Sequence, residues 1–418
     1  MRCPSLFELP QTDNGKTGWP WTEETSSEEK YPSGDLVWPL VSIVTPSFNQ
    51  AQYLEETIRS VLLQGYPNLE YMIIDGGSSD GSVDIIKKYE PWLTYWVSEP
   101  DQGQSHAINK GFGKATGEIL AWLNSDDTYE PGTIHQAVKT LKGQQGVVLT
   151  YGDCNYINAN SEKVNQWKTR SCSQEDLILL GSLVPQPTAF FYRWAVEKVG
   201  GINQNLHYIM DYELWVRLGY AGAYFYAPSI RANFRLHSNS KTISRSTGFS
   251  LELISILDHN AELEKTYGPR LLKEALRRYH VIAYIEYLFA EDISLAKYHL
   301  EQALQDNSWP YGSPHELANY IFYYNTPNGK TLSRSKTIFD FCLDNISDLQ
   351  NSKMREHLRH ALISASAMHH VFLGQQTSDK QKIKMNIWTG ILNDPKWLFN
   401  RGVWSITIKA YLPFLKSI

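Results

Sequence analysis

VSIVTPSFNQAQYLEETIRSVLLQGYPNLEYMIIDGGSSDGS, residues 41–82, is the stretch whose reading decides the fold. Two short apolar runs, VSIVT (41–45) and LEYMIID (69–75), enclose a segment in which Leu54, Ile58, Val61 and Leu62 recur at i, i+4, i+7 and i+8. That spacing lines one face of a helix, so the unit reads as strand, helix, strand. The alternation continues through SVDIIKKYE (82–90), LTYWVSE (93–99), a helix near His106 to Gly111, and EILAWLN (118–124). The expected fold class is α/β: a mostly parallel sheet flanked by helices, with ligands at the carboxyl ends of its strands.

The flanks read differently. Residues 1–39 are rich in Pro, Gly, Thr, Ser and Glu around Trp19, Trp21 and Trp38, with neither helical nor strand period, and are expected to form an irregular arm packed by its tryptophans. The α/β domain is expected over 40–245. Beyond about residue 250, LELISILDHNAELEKTYG (251–268), RLLKEALRRYHVIAYIEYLF (270–289) and SLAKYHLEQALQ (294–305) carry helical periodicity, which predicts a smaller all-helical region over 250–418 without a fixed repeat.

Composition narrows the function classes. The chain has 418 residues, 42% hydrophobic and 20% charged, with 13 Trp and 25 Tyr, the balance of a globular protein long enough for two domains. A net charge of -5 offers no basic field, so nucleic acid is not an expected partner. Cys3, Cys154, Cys172 and Cys342 are scattered without close pairing, which suggests neither a zinc site nor a disulfide framework and fits a reducing cytoplasm. No apolar stretch reaches the ~18 residues that would span a bilayer. A soluble or peripheral protein on the inner face of the membrane is expected. The segment PKWLFNRGVWSITIKAYLPFLKSI (395–418) interleaves Lys396, Arg401, Lys409 and Lys416 with aromatic residues and has no acid, the composition of an interfacial segment in peripheral membrane contact. A terminal helix docked on the helical region explains it equally well.

Three predicted strands end in polar clusters that the alternation brings to one sheet edge: Thr45-Pro46-Ser47-Phe48-Asn49, Asp75 through Gly81, and Asn124-Ser125-Asp126-Asp127. Paired carboxylates directly after a buried strand call for a neutralising charge, and hard oxygen ligands suit Mg²⁺ or Mn²⁺ bridging to a diphosphate. Asp126 and Asp127 are therefore the metal candidates, although a turn and helix cap ahead of Pro131 would also use them. Asp75, closing an apolar strand, can accept hydrogen bonds from a nucleobase or a ribose. Ser79 or Asp80 is expected to cap the helix that starts near Ser82.

Taken in order, SIVTPSFNQ (42–50), IIDGGSSDGS (73–82), AINKGFGKATGEILAWLNSDD (107–127) and IMDYELWVRLGYAG (209–222) resemble the family 2 glycosyltransferases of the GT-A fold. The resemblance covers roughly residues 40–240. It implies a GT-A-type nucleotide-sugar-binding domain, a divalent cation at a D-x-D-like element, and inversion by direct displacement. It further implies that Pro46, Phe48 and Asn49 line the nucleotide pocket, that Asp75 addresses base or ribose, and that Asn109 supports the loop under the donor. Asn124, Ser125, Asp126 and Asp127 would hold ribose and metal, and Asp211 would be the general base. Gly103 and Gln104 resemble a donor loop, which a plain helix entry explains nearly as well, and Gln186 would lie near the acceptor. Two positions depart from the family pattern: Gly76, where a second acid is frequent, and Asn124, where the metal motif frequently starts with an acid.

Asp211 also has a reading of its own. Leu214, Trp215 and Leu218 follow it at i+3, i+4 and i+7, which places the acid on the inward face of its helix. An N-cap aspartate is the plain alternative, Glu213 is a weaker candidate on another face, and Arg217 is expected to pair with an acid or a phosphate. The function so indicated is transfer of a sugar from a UDP, dTDP or GDP donor to a glycan or lipid-linked hydroxyl in surface polysaccharide assembly. A noncatalytic nucleotide-sugar scaffold and a nucleotidyltransferase are the alternatives. The latter should carry a glycine-rich basic loop after the first strand, where this chain has PSFNQAQ.

Overall fold

Residues 41–82 form β1 (Val41–Ser47), α1 (Ala51–Leu62) and β2 (Leu69–Asp75), as their periodicity requires. Leu54, Ile58, Val61 and Leu62 are all fully buried against the sheet, and every residue of β1 is buried. The structure is a computed structural model that describes residues 2–11, 15–25, 38–237, 247–258, 260–290 and 292–303, with isolated positions between 352 and 363. The segment 395–418 and Cys342 lie outside the described residues.

The chain continues through α2 (Ser82–Tyr89), β3 (Tyr95–Ser98), α3 (Gln104–Phe112), β4 (Ile119–Trp122), β5 (Thr128–Tyr129), α4 (Thr133–Gly143) and the long β6 (Val147–Ile157). After it come β7 (Lys163–Trp167), α5 (Gln174–Leu180), β8 (Phe190–Tyr192), α6 (Arg193–Val199), α7 (Met210–Leu218) and β9 (Ala223–Arg235). The strands form one sheet in the order β3-β2-β1-β4-β8-β6-β9-β5, with β7 paired to β6. Its first half, β3 to β4, is parallel. Beyond β4 it is mixed, because β8 runs antiparallel to both β4 and β6 while β9 is parallel to β6.

Register places the strand ends. Ser47 stands opposite Asp75, and Asp75 opposite Ser98, so the last residues of β1, β2 and β3 form one row. Next to them Leu123 N–H extends the β1–β4 ladder to Val44 O at 3.0 Å, after which Asn124 leaves the sheet beside the same edge. Helix α3 lies directly on β1. A Cβ on Gly111 would come within 2.5 Å of Val44 Cγ1, so this close approach needs a residue without a side chain. On the same face, Trp122 of β4 stacks on Trp215 of α7 with centroids 5.4 Å apart, and Phe191 packs against both rings. Helix α7 is thereby fixed to the sheet through apolar contact.

The amino-terminal stretch packs through backbone groups as well as tryptophans. Buried Arg59 of α1 donates to Pro20 O at 3.0 Å, Trp21 O at 3.0 Å and Pro10 O at 3.1 Å, while Trp19 Nε1 donates to Tyr129 O at 2.8 Å.

Two compact units divide the chain at residues 1–236 and 237–418. In the second, α8 (Thr247–Leu257), α9 (Ala261–Phe289, broken at Gly268 where φ is +78°) and α10 (Ile293–Ala303) are tied by polar contacts. Ser250 Oγ donates to Glu286 Oε2 at 2.5 Å, Arg277 Nε to Ala303 O at 2.9 Å, and the Nδ1 atoms of His280 and His299 meet at 2.9 Å. Among the described residues no helix is long and apolar enough to cross a membrane.

Candidate active site

The row of strand ends is held by Asp75, whose buried carboxylate takes four hydrogen bonds. Oδ2 accepts from Gly77 N–H at 3.1 Å, Ser78 N–H at 2.8 Å and Ser98 Oγ at 2.6 Å, and Oδ1 accepts from Ser78 Oγ at 2.6 Å. In this structure the acid expected to address base or ribose therefore closes its own loop. Asn49, in the left-handed region at φ 52°, fastens the same loop to β1. Its N–H donates to Ser78 Oγ at 2.7 Å and its Oδ1 accepts from Ser79 N–H at 2.9 Å. The residue at the N-cap of α2 is Gly81 (φ 98°), not Ser79 or Asp80, and no side chain makes the usual cap bond to the second or third helical N–H. Asp80 instead accepts from Ser82 N–H and Oγ and, at 2.8 Å, from Ala51 N–H of α1. Pro46 is buried in β1, and Phe48 leaves its ring 59% exposed beside the loop, available to stack on a flat ligand.

After β4 the chain makes a polar turn whose backbone is gripped from below. Thr57 Oγ1 donates to Ser125 O at 3.0 Å and Asp127 O at 2.7 Å, and Arg235 Nε donates to Asp126 O at 2.7 Å. Asp127 is 1% exposed, with Oδ1 accepting Arg235 N–H at 2.9 Å, while Asp126 is half-buried. Burial, with the Asp126 charge beside it, pushes the Asp127 carboxyl well above the usual carboxylate range, against the pull of Arg235. Asn124 bridges outward from this pair. Its Nδ2 reaches Asp127 Oδ2 at 3.3 Å and Gln186 Oε1 at 3.1 Å, and its Oδ1 accepts from Gln104 Nε2 at 2.7 Å. An amide at 124 can donate to Asp127 and accept from Gln104 at once, which a carboxylate there could not, and it avoids a third adjacent charge.

Helix α3 brings the other half of the site. Gly103, at φ 106° before the helix, gives its N–H to Asp101 Oδ1 at 2.8 Å, and Gln104 reaches Asn124 as above. Asn109 does not touch this turn. Its amide donates to Ile202 O at 2.7 Å and accepts Ile202 N–H at 2.9 Å, so the loop it supports is the one leading to α7. Ser105 Oγ holds that loop again at Leu206 O, 2.9 Å. Helix α7 starts at Met210 with Ile209 at its N-cap, which corrects the N-cap reading of Asp211: the acid is half-buried in the first turn. Glu213 accepts from Arg217 Nε at 2.7 Å and Nη2 at 2.5 Å, while Arg217 Nη1 donates to Val199 O and Nη2 to Gly201 O. The arginine's partner is thus an acid of its own helix.

These elements match known proteins. The model for "Glycosyl transferase family 2" fits residues 42–196. An uncharacterized glycosyltransferase of Mycobacterium tuberculosis is 33% identical over 181 residues, which span 43% of this chain and 68% of that protein. The chain belongs to glycosyl transferase family 2. An uncharacterized glycosyltransferase of Rickettsia typhi is 30% identical over 211 residues, 49% of this chain and 66% of its own length. Among solved structures, residues 1–349 of S. aureus TarS in complex with UDP-GlcNAc superpose with a TM-score of 0.51 at 16% identity, covering 77% of this chain and 91% of that one. That likeness confirms a GT-A-like fold, a curled mixed sheet flanked by helices.

One pair of this glycosyltransferase's residues escaped the sequence reading. Arg235 at the end of β9 and Glu56 of α1 form a buried ion pair at 3.1 Å, with side chains 0% and 8% exposed. Arg235 also donates to Asn158 O and Ser161 Oγ and lies 4.7 Å from the Tyr53 ring centroid. It is the cation beneath Asp126 and Asp127. The sequence carries no signal for the pair, since Glu56 lies across its helix from the Leu54, Ile58, Val61 and Leu62 stripe and Arg235 ends a strand that is mostly half-buried. Glu56→Gln should destabilise the protein by about 3–5 kcal/mol, because Arg235 is left buried without its counter-charge. Urea unfolding checks this, and a loss under about 1 kcal/mol would mean that the Asp126–Asp127 pair already neutralises Arg235.

Proposed function

We propose that the strand-end cradle binds a nucleoside diphosphate sugar together with Mn²⁺ or Mg²⁺, and that an acceptor hydroxyl displaces the diphosphate with inversion at the anomeric carbon. The observation that carries this reading is the convergence of the Asp126–Asp127 turn with Gln104 through Asn124, on the edge where the Asn49 and Asp75 loops end. Asp126 and Asp127 are the residues that would hold the cation. Asp127 Oδ1 and Oδ2 already accept from Arg235 N–H and Asn124 Nδ2, and a cation on their remaining lone pairs and on Asp126 would offset the pressure that the neighbouring charge puts on this buried carboxylate. Among the described residues no three His, Cys, Asp or Glu cluster as a cage. Two carboxylates suffice for Mg²⁺ or Mn²⁺, which complete their shell with phosphate and water and supply positive charge to the diphosphate oxygens.

In the displacement the acceptor oxygen forms its bond to the anomeric carbon while the bond from that carbon to the diphosphate oxygen breaks. Asp211 takes the hydroxyl proton, and the departing diphosphate keeps the bonding electron pair. The acceptor class, a glycan or lipid-linked hydroxyl of surface polysaccharide assembly, rests on the resemblance alone. A UDP sugar is the first donor to try, being the class held in the TarS complex.

The test is a panel of UDP, GDP and dTDP sugars with Mn²⁺, read by thermal stabilisation and by release of nucleoside diphosphate. One donor should stabilise the fold by about 2.7 kcal/mol at a hundred times its dissociation constant and be hydrolysed slowly. No stabilisation and no release with any donor would overturn the proposal. Stabilisation without release would point to a scaffold, and release of pyrophosphate in a parallel assay with nucleoside triphosphates and a sugar phosphate to a nucleotidyltransferase.

A further inference from the structure

Arg231 is a buried cation without a counter-charge among the described residues. It sits in β9 where the pairing with β6 steps from Asp153–Ile230 to Cys154–Ala232, which leaves Arg231 as an extra residue on its strand. A bulge of this kind re-aims a side chain. Here the guanidinium turns into the core, 0% exposed, toward Thr150 of β6 and Thr140 of α4. Gly152 opens the route, since a Cβ on it would lie 3.0 Å from both Cγ and Cδ of Arg231.

The contacts made there are few and neutral. Nη2 donates to Thr150 Oγ1 at 3.2 Å and reaches Thr140 Oγ1 at 3.4 Å. Each hydroxyl gives its own proton to a carbonyl, Thr150 to Phe225 O at 3.1 Å and Thr140 to Gln136 O at 2.8 Å, so toward Arg231 both can only accept. Among the described residues Nε and Nη1 meet no acceptor, and no carboxylate pairs with the side chain. Burial lowers the guanidinium to about 10, which leaves it protonated at neutral pH. A buried ion without a partner is among the most costly things a core can hold. Buried water could take the orphaned N–H groups but brings no charge.

We propose that Arg231 binds a small monovalent anion, chloride, in the core between β6, β9 and α4, with the N–H groups that lack protein acceptors as its donors. The ion braces the wall behind the Asp126–Asp127 turn, because Arg231 O accepts from Glu130 N–H at 2.9 Å and from Thr133 Oγ1 at 2.6 Å, just past that turn. It does so whether or not the strand-end cradle takes a nucleotide.

Thermal unfolding of the full chain tests the site at fixed sodium and fixed ionic strength, with gluconate replaced stepwise by chloride. The melting temperature should climb by roughly 5 °C and saturate, as binding to the native state alone requires. Bromide should act in the same way. In Arg231→Met, which keeps an unbranched side chain and removes the charge, the melting temperature in gluconate should equal or exceed the parent's and should not move with chloride. Crystals of the parent grown in bromide should show an anomalous peak within hydrogen-bond reach of Arg231. Either a flat chloride titration or no bromide at Arg231 would overturn the proposal and leave the guanidinium to water, and so would an undiminished chloride response in Arg231→Met. Should that variant fail to fold, the parent's titration and the bromide peak decide by themselves.

Discussion

Asp127→Asn should abolish cation-dependent nucleotide binding while leaving the fold at least as stable as before. Its Oδ1 accepts Arg235 N–H at 2.9 Å, and an Asn carbonyl can keep that bond, while the amide NH2 in the place of Oδ2 gives up only the long 3.3 Å contact from Asn124 Nδ2, whose amide can turn to Gln186. What disappears is a charge that is 1% exposed and set beside Asp126. Burial raises the folded-state pKa above 3.8, so the folded form binds more protons than the unfolded one in the interval between the two values. Stability contributed by this group is present below about pH 3.8 and is lost as pH rises through the raised value, so the ionised carboxylate is a penalty at neutral pH. Removing it should raise or preserve the melting temperature. Binding should move the other way, with nucleotide affinity in Mn²⁺ falling by about a hundredfold or to the level measured in chelator. A residue that weakens the fold and is required for the ligand is what an active site is expected to contain. Calorimetry of UDP, GDP and dTDP, each in Mn²⁺ and in chelator, decides the point. Equal affinity in chelator, or an unaffected Asp127→Asn, would remove the cation from the site.

What could be read in advance follows from where each signal resides. Strands β1, β2 and β4 lie inside the parallel half of the sheet and are almost wholly buried, so they stand out as short, mostly apolar runs whose ends are polar, with Ser42, Thr45 and Glu70 as the exceptions. The mixed half is less legible. Strand β9 carries Pro228, Arg231 and Arg235 within a half-buried pattern, and its pairing with β6 shifts register more than once. In the site, Asp126 and Asp127 declared themselves by adjacency. Arg235 and Glu56 are 179 residues apart, and only the fold brings them together. Asp75 was visible as an acid closing a strand, but its hydrogen bonds were not, because two of its donors are backbone N–H groups supplied by loop geometry.

Asp211→Asn should lower turnover by roughly a hundredfold or more and leave donor affinity within about twofold, the signature of a group that acts in the chemical step alone. A sugar hydroxyl is a weak nucleophile at neutral pH, so displacement at the anomeric carbon needs a carboxylate within hydrogen-bond reach of it. Helix α7 is built to hold such a group still. Trp215 stacks on Trp122 of β4, and the loop before the helix is pinned by Asn109 at Ile202 and by Ser105 at Leu206. Arg217 adds its grip on Val199 and Gly201, so the loop that delivers Asp211 is tied both to α3 and to α7 itself. Glu213 is committed to Arg217 by two short hydrogen bonds, which makes it a poor competitor for the role. Because Ile209 and not Asp211 is the N-cap, the substitution forfeits no cap. The first-turn position favours a negative charge through the helix dipole, a contribution of about 0.3–1 kcal/mol, so the melting temperature should change little. Steady-state transfer kinetics with the donor found in the nucleotide-sugar panel, paired with calorimetry of the same donor, measure both quantities. Near-normal transfer by Asp211→Asn, with normal donor affinity, would place the base on another acid and leave Asp211 a supporting role at the start of its helix.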